Sequence, residues 1–361
     1  MNLLFDILYM KRTTSSLAKL IRHFILTSTT TAGSGHPSSS LSATDLMTSL
    51  FFDDFFHFDI KNPTHPNNDR LIFSKGHACP LFYALWVAAK ALPAEELATL
   101  RQFGSRLEGH PTMIFPFTEA ATGSLGQGLS VGLGMAMNAK YLDKLPYRTF
   151  VLLGDSEMAE GSVSEAMELA SYYKLNNLIA ILDVNRLGQR GETQLGHDVK
   201  AYQKRAAAFG WEAIVVDGHN LTKISAAYKK ALSSTDKPVM IIAKTLKGKG
   251  VSFMENKDGW HGKALKPEEL QKALEELGPV DVALRGELKL PIDKQPQPYS
   301  PNAQKNETYA KGTMVATRKA YGNTLVKLHP QFPHMVVLDA ETSNSTFADI
   351  FKKSYPDRFF E

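Results

Sequence analysis

The sequence predicts an α/β fold with a mainly parallel sheet and helices on both faces, followed by the beginning of a second, incomplete α/β domain. Two observations predict this class. Short β-rich runs alternate with helical stretches between residues 150 and 243, which is typical of parallel sheets. A proline-rich segment, 290–309, then precedes a new helical stretch and a new β-rich run.

The first predicted element is a helix that leads into a polar loop. Five apolar residues fall on one helical face, namely Leu17, Leu20, Ile21, Phe24 and Ile25. Residues 27–37 are polar and contain two glycines, so we expect the helix to end there and a loop to follow.

The alternating region ends each of its β-rich runs in polar residues. We expect strands over 150–153, 178–182, 213–216 and 239–243, with helices over 164–173 and 221–232. The polar ends are Gly154-Asp155, 183–185, 217–219 and Lys244. Ligands of open parallel sheets bind beyond the carboxyl ends of the strands, so four strand ends point to one binding edge.

We place the domain boundaries at 1–275 for the large domain, 276–310 for the linker and 311–361 for the second domain. The second domain begins with a helix over 318–328 and a strand over 335–338. Its residues are too few to bury a complete core, so we expect an incomplete domain.

The composition of the chain indicates which kinds of binding partner and which cellular location to expect. With 43% hydrophobic and 22% charged residues and a net charge of +4, the chain resembles a soluble globular protein, not a nucleic-acid-binding one. One cysteine, Cys79, excludes an intramolecular disulfide and favours a reducing, cytoplasmic location. The apolar start, 1–10, is too short to cross a membrane, so we expect a helix or an arm there.

Residues 121–137 contain five glycines between a loop and an apolar helix start. Backbone N–H groups of such a segment can approach an anion, as at other helix N-termini. Close helix packing through glycine explains the pattern equally well, and the residues alone leave both interpretations open.

Asp155 and Asn185 follow neighbouring β-rich runs and supply hard oxygen ligands, to which the carbonyl of Leu187 adds a third. Such ligands suit Mg²⁺ or Ca²⁺ bridging a diphosphate. The alternative is that both residues only form turns.

Four histidines lie in glycine-bearing polar loops: His36, His77, His110 and His261. A single histidine in a loop is usually a surface residue. Four in this context favour convergence on one site, where imidazoles can donate to hydroxyls and phosphates or transfer protons.

These residues belong to a series of motifs that resembles the transketolase family in order and spacing. The motifs are GSGHP (33–37), NDRLIFSKGHA (68–78), LEGHP (107–111), ATGSLGQGLS (121–130), GDSEMAEGSVSEA (154–166), ILDVNRLGQ (181–189), FGWEAIVVDGHN (209–220), IIAKTLKGKG (241–250), WHGK (260–263), ATRKAYG (316–322) and LDAETSNSTFADIFKKSYPDRF (338–359). The last run is most similar to animal-type enzymes.

The resemblance implies a thiamine-diphosphate-binding fold, with 1–275 as the pyrophosphate-binding domain and 311–361 as the start of the pyrimidine-binding domain. It implies that Asp155, Asn185 and the Leu187 carbonyl ligate Mg²⁺ or Ca²⁺. The implied cofactor-binding residues are Ser39, His77, Gly123, Ser124, Leu125, Gly154, Asp155, Ser156, Asn185, Lys244 and His261.

The implied activity is transfer of a two-carbon glycolaldehyde unit from a ketose phosphate (xylulose 5-phosphate) to an aldose phosphate (ribose 5-phosphate or erythrose 4-phosphate) through a thiamine diphosphate carbanion, in the pentose phosphate pathway. His36, His110 and His261 are the implied catalytic residues around the sugar. His36, His261, Arg318 and Ser345 are the implied substrate-binding residues, the last two gripping the sugar phosphate. The family implies a homodimer whose active sites are shared between subunits.

Two departures from the family pattern stand out. Ser156 replaces the usual second glycine of Gly-Asp-Gly, and we expect its N–H to keep binding diphosphate, only more weakly. The catalytic glutamate belongs to an Ile-Ala-Glu-Gln-Asn motif that would follow Glu361, and neither Glu341 nor Glu361 matches it. We therefore expect this chain alone to bind cofactor weakly and to transfer nothing.

Two other functions remain open at this point. Deoxyxylulose-phosphate synthase shares the cofactor and domain plan, although the run after Leu338 argues against it. A non-catalytic thiamine-diphosphate-binding or dimerising partner of a separate C-terminal half is the alternative from a different class.

Overall fold

The computed structural model describes residues 2–302, 304 and 307–361, with side chains from residue 13 onward. Met1, at the predicted arm, and Ala303, Lys305 and Asn306, in the predicted linker, lie outside the described residues. The chain divides into a first unit, Met1–Ala139 with Pro146–Lys294, and a second unit, Lys140–Leu145 with Gln295–Glu361.

The first unit alternates helices and strands. Its helices are α1 (Asn2–Thr31), α2 (Pro37–Phe52), α3 (Cys79–Ala88), α4 (Gly128–Met137), α5 (Gly161–Tyr172), α6 (Val199–Ala208), α7 (Leu221–Leu232) and α8 (Pro267–Leu277). Its strands are β1 (Arg70–Phe73), β2 (Thr149–Gly154), β3 (Leu178–Val184), β4 (Glu212–Asp217) and β5 (Val239–Lys244). The strands predicted after residue 149 are confirmed, whereas β1 was not predicted.

The five strands form one parallel sheet in the order β1-β2-β3-β5-β4. Side chains of a strand alternate between the two faces. Phe150 and Leu152 of β2 pack in the main core with residues of α1, α2 and α3. Val151 faces the opposite side, where it lies against Gly132 of α4. Helices therefore cover both faces, as the sequence predicts.

Helix α1 continues four residues beyond the predicted start of the loop, to Thr31. The threonine hydroxyls explain the difference. Thr27 Oγ1 donates to the carbonyl of His23 at 2.9 Å, and Thr29 Oγ1 donates to that of Ile25 at 2.7 Å. Polar residues that bond to the preceding turn stay compatible with a helix. The loop that presents His36 is therefore shorter than predicted.

The register brings the strand ends together. Gly154 pairs with Asp183, Val184 with Lys244, and Lys244 with Asp217. Since the strands are parallel, the polar residues that follow them emerge at one edge of the sheet.

The second unit contains α9 (Thr317–Leu328), β6 (Val337–Leu338), α10 (Ser343–Thr346), α11 (Asp349–Ser354) and β7 (Phe359–Phe360). The two short strands pair in parallel. The strand predicted over 335–338 is only two residues long. Six buried residues form a small core: Val326, Val337, Ala348, Phe351, Tyr355 and Phe359.

In the described part of the chain, no helix is long and apolar enough to span a bilayer.

Candidate functional site

Four histidines from four separate segments meet in the first unit: His77 lies in a short 3-10 helix, Gly76–Ala78, and the other three lie in loops. The ring centroids of His36 and His77 are 5.0 Å apart, those of His36 and His261 are 5.0 Å apart, and those of His77 and His261 are 5.2 Å apart. His110 lies 6.5 Å from His36. The structure thus brings together the histidines that the sequence grouped by loop context.

The cluster is held in its neutral form. Burial, followed by the charges of neighbouring groups including Arg101 and Lys247, lowers the pKa of His36 to about 3. Burial and then Lys247 and Lys75 lower the pKa of His261 to about 4. Burial also lowers the pKa values of His77 and His110. Neutral imidazoles offer one donor and one acceptor each, as recognition of hydroxyl groups requires.

Lys247 joins this cluster, and the sequence did not single it out. Its Nζ donates to the Leu187 carbonyl at 2.7 Å and lies 2.9 Å from Nδ1 of His261. Burial lowers the pKa of Lys247 to about 8. The signal available in the sequence was the pair of glycines that follows it, Gly248 and Gly250, which indicates a turn next to Lys247.

Lys244 is a further residue that the resemblance implies for cofactor binding. It is the last residue of β5 and its side chain is exposed. It lines a different cavity, of about 740 Å³, together with Asp217 and Lys223. The implied role of Lys244 in cofactor binding stays a prediction.

Asp155, Asn185 and Leu187 lie at the carboxyl ends of β2 and β3. Asp155 accepts hydrogen bonds from the N–H groups of Ser156 at 2.9 Å and Arg186 at 2.6 Å. Burial and the nearby Asp183 charge raise the pKa of Asp155 to about 6. Oδ1 of Asn185 accepts from the N–H of Leu187 at 3.2 Å.

The three oxygens form a hard donor set, one carboxylate, one amide and one carbonyl, that suits Mg²⁺ or Ca²⁺. Within the described residues, no group of three or more His, Cys, Asp or Glu side chains could hold a metal ion. A cation at this edge would therefore rely on the amide and carbonyl oxygens as well as on Asp155.

The backbone amides proposed for diphosphate binding are already engaged. The N–H of Gly154 donates to Oε2 of Glu157 at 3.1 Å, and that of Ser156 donates to Asp155. Both N–H groups thus have carboxylate partners in this structure, and their role in diphosphate binding stays a prediction. In the glycine-rich loop, Ser124 is exposed, Leu125 is half-buried, and Gly123, with a φ of +144°, packs against the ring of His110.

A buried ion pair lies beneath the strand ends. Lys75 Nζ bonds to Oδ2 of Asp183, and both side chains are buried. Ser42 and Thr245 also donate to Asp183. Burial raises the pKa of Asp183, but Lys75 and the hydroxyl groups outweigh it and hold the carboxyl below its usual pKa. No local pattern predicts this pair, because its two residues are 108 positions apart along the chain.

Several buried polar atoms of the described residues have no hydrogen-bond partner, and they include Nδ1 of His36 and Oγ of Ser39. Buried polar groups in proteins are nearly always paired. These two atoms therefore mark a place where a ligand or water completes the hydrogen bonding.

Arg318 and Ser345 lie in the second unit. Arg318 lies in the first turn of α9 and is exposed, and its guanidinium lies 5.4 Å from the centroid of the Phe347 ring. It lines a cavity of about 550 Å³ with Tyr321 and Asp339. Ser345 is exposed within α10.

Comparison with known proteins decides the family. The profile described as transketolase, thiamine diphosphate binding domain, matches residues 13–305. The chain belongs to the transketolase family. Its first unit is the thiamine-diphosphate-binding domain of that family.

Relatives and solved structures agree. Transketolase from Pongo abelii is 45% identical over 351 residues, covering 95% of this chain and 55% of that protein. The chain thus spans about half the length of its transketolase relatives. A crystal structure of Campylobacter jejuni transketolase is 34% identical with a TM-score of 0.70 and covers 76% of this chain and 44% of that one. The structure of Leishmania mexicana transketolase is 24% identical with a TM-score of 0.82, and the match covers 96% of this chain and 60% of that one. It shares the fold.

Proposed function

We propose that this chain provides the diphosphate- and metal-binding part of a transketolase active site. The complete enzyme would transfer a two-carbon glycolaldehyde unit from xylulose 5-phosphate to ribose 5-phosphate or erythrose 4-phosphate, in the cytoplasmic pentose phosphate pathway. One observation carries the proposal: Lys247 bonds both to the Leu187 carbonyl, at the candidate metal site, and to His261, in the histidine cluster.

The residues present fit thiamine diphosphate and its metal. Asp155, Asn185 and the Leu187 carbonyl would hold Mg²⁺ or Ca²⁺, which neutralises diphosphate charge. Lys247 would face the same diphosphate with a positive charge, and the unpaired Ser39 hydroxyl would gain a partner. Bound thiamine diphosphate would supply the nucleophilic carbon that accepts and donates the two-carbon unit.

Further contacts to the cofactor are proposed for the histidine cluster, the glycine-rich loop and the backbone at the end of β2. His77 and His261 would close the pocket from one side. Gly123, Ser124 and Leu125 would line it from the glycine-rich loop, where a φ of +144° at Gly123 disfavours any side chain. Gly154 and Ser156 would contribute their N–H groups only after exchanging their present carboxylate partners.

The histidines would act on the sugar as neutral groups. His261 accepts from Lys247 through Nδ1, so its proton lies on Nε2, where it can donate to a substrate oxygen. His36 and His110 would donate to hydroxyls and stabilise negative charge that develops on the substrate oxygen. A neutral imidazole donor avoids the cost of a buried charge in the free enzyme.

Arg318 and Ser345 are proposed to bind the sugar phosphate, since a guanidinium matches phosphate oxygens in geometry and charge. We propose a homodimer in which the second domain of one subunit completes the active site of the other. Transketolases from Pichia stipitis have been crystallised with xylulose 5-phosphate and sedoheptulose 7-phosphate, which supports sugar phosphates as substrates.

Cofactor binding is tested by calorimetric titration of the chain with thiamine diphosphate and Mg²⁺. We expect binding that requires the metal and that weakens at least tenfold in Asp155→Asn, because the one carboxylate of the donor set becomes a neutral amide. Asp217→Asn is the matched control, since Asp217 is an exposed carboxylate at the end of β4. Equal affinity in both variants contradicts the metal assignment.

Activity is tested with this chain mixed with the C-terminal half of a related transketolase. With xylulose 5-phosphate and ribose 5-phosphate, we expect release of glyceraldehyde 3-phosphate that depends on thiamine diphosphate and is lost in Asp155→Asn. No consumption of this substrate pair, or turnover that is independent of the cofactor, contradicts the proposed reaction.

A further inference from the structure

Asp45 of α2 binds side chains from two other parts of the first unit. Its carboxylate accepts two hydrogen bonds from Arg22 of α1, at 2.9 and 2.7 Å. It also lies 2.9 Å from Nδ1 of His219, in the loop after β4. Asp45 is buried, 7% exposed, so these partners stabilise a carboxylate that is largely removed from water.

Both ring nitrogens of His219 are occupied. The N–H of Leu246 donates to Nε2 of His219 at 2.9 Å. An amide N–H can only donate, so Nε2 is the acceptor and the proton of the neutral ring lies on Nδ1, from which it donates to Asp45. The geometry therefore assigns one tautomer to His219.

The residue that His219 contacts immediately precedes Lys247. Other bonds also hold the segment 246–250. The N–H of Gly248 donates to the Ser38 carbonyl at 2.9 Å, Arg22 Nε donates to the Lys249 carbonyl at 3.3 Å, and the N–H of Asn256 donates to the Lys247 carbonyl at 2.7 Å. Asp45 thus holds the start of this segment through His219 and its far side through Arg22.

We propose that His219 is a positioning residue that sets the place of Lys247 at the active site, with Asp45 holding its tautomer. This inference rests on the proposed function for its consequence in cofactor binding. Without an acceptor at Nε2, the Leu246 N–H loses its partner, and the segment can shift so that Lys247 leaves the Leu187 carbonyl and His261.

Histidine suits this position because its rigid ring carries an acceptor and a donor that point in different directions. Leucine has neither group. Glutamine has a carbonyl oxygen to accept and an amide to donate, so it can restore both bonds in part. A role limited to stability would not distinguish these two replacements by their effect on the active site.

The tautomer is tested directly by ¹⁵N NMR of the histidine side chains in the chain as it stands. We expect Nδ1 of His219 to carry the proton and Nε2 to be unprotonated at neutral pH. A protonated Nε2 overturns the proposal.

The positioning role is tested with His219→Leu and His219→Gln. We expect His219→Leu to raise the pKa of His261, because Lys247 moves away, and to weaken binding of thiamine diphosphate with Mg²⁺ at least tenfold. In His219→Gln, we expect the pKa of His261 and the affinity for thiamine diphosphate to lie closer to the values of the unsubstituted chain. Tyr228→Phe is the matched control: it removes a buried hydrogen bond from α7 to the Leu46 carbonyl, beside Asp45, and should leave both measurements unchanged.

Unchanged His261 titration and cofactor affinity in folded His219→Leu overturn the proposal, as does an equal effect of Tyr228→Phe. If His219→Leu does not fold, the proposal is tested by the His261 titration and cofactor affinity of His219→Gln and by the NMR measurement of the His219 tautomer. If the unsubstituted chain does not bind thiamine diphosphate, the proposed function fails, while the His261 titration still tests the positioning of Lys247.

Discussion

Lys247 Nζ lies 2.9 Å from Nδ1 of His261 and donates to the Leu187 carbonyl on its other side. One buried ammonium thus links the residues proposed to face the sugar with those proposed to hold the metal. Burial lowers the pKa of His261, and the positive charge of Lys247 lowers it further because it disfavours a second charge next to it.

Replacing Lys247 by methionine should raise the pKa of His261 from about 4 toward, but not up to, its ordinary value of 6.5. The nearby charge is removed while the burial that also lowers this pKa remains. NMR titration of the histidine ring measures the change. Lys244→Met is the control, and a shift of the same size there would contradict the assignment of Lys247.

The buried pair of Lys75 and Asp183 should be costly to break. Lys75→Met or Asp183→Asn is expected to lower the free energy of unfolding by about 3–5 kcal/mol, because each leaves a buried charge without its partner. The double variant should lose less than the sum of the single losses. Urea denaturation provides the values.

Lys90→Met is the control for that experiment, since Lys90 forms an exposed ion pair with Glu287. Exposed pairs contribute little, and we expect no measurable change. Additive losses in the double variant would show that Lys75 and Asp183 do not act as a pair.

Two glycines of α4 should respond oppositely to alanine. A Cβ at Gly132 would lie 2.5 Å from Cγ2 of Val151, whereas a Cβ at Gly134 meets nothing within 4 Å. Gly132→Ala should destabilise the chain by about 1–3 kcal/mol through overpacking. Gly134→Ala should stabilise it by about 0.5–1 kcal/mol through helix propensity.

Thermal and urea denaturation of both variants test this pair. Equal effects at the two positions would contradict close packing of α4 on the sheet at Gly132. The comparison also addresses the interpretation that the sequence left open, since part of the glycine-rich segment serves helix packing.

The neutral state of His36 has a consequence for stability. Its pKa is about 3 in the folded chain and 6.5 ordinarily, so only the unfolded chain takes up this proton between those values. The free energy of unfolding should therefore fall as the pH drops below about 6.5 and stop falling, for this group, near 3.

His36→Asn should make that fall less steep, because asparagine does not titrate. Urea denaturation at several pH values between 7 and 5 measures the slope in both proteins. Equal slopes would show that His36 is protonated in the folded chain.

The sequence predicted much of the fold because its signals are local. The run of β-branched and aliphatic residues in β3 and the apolar periodicity of α7 identify these elements without knowledge of their neighbours. Strand β1 was not predicted because it is only four residues long, follows a polar loop and lies next to another glycine-bearing segment. The end of α1 was misplaced because threonines are common in loops, whereas here their hydroxyls bond within the helix.

For the site, the sequence by itself determined which residue types stand at the strand ends and in the glycine-bearing loops, including Asp155, Asn185 and the four histidines. Those features depend on neighbours along the chain. Only the tertiary structure decided that Lys247 and not Lys244 reaches His261, and that His219 bonds to Asp45, 174 residues away. Such pairings depend on how distant segments pack, because a side chain's partner and charge state are set by what folding places beside it.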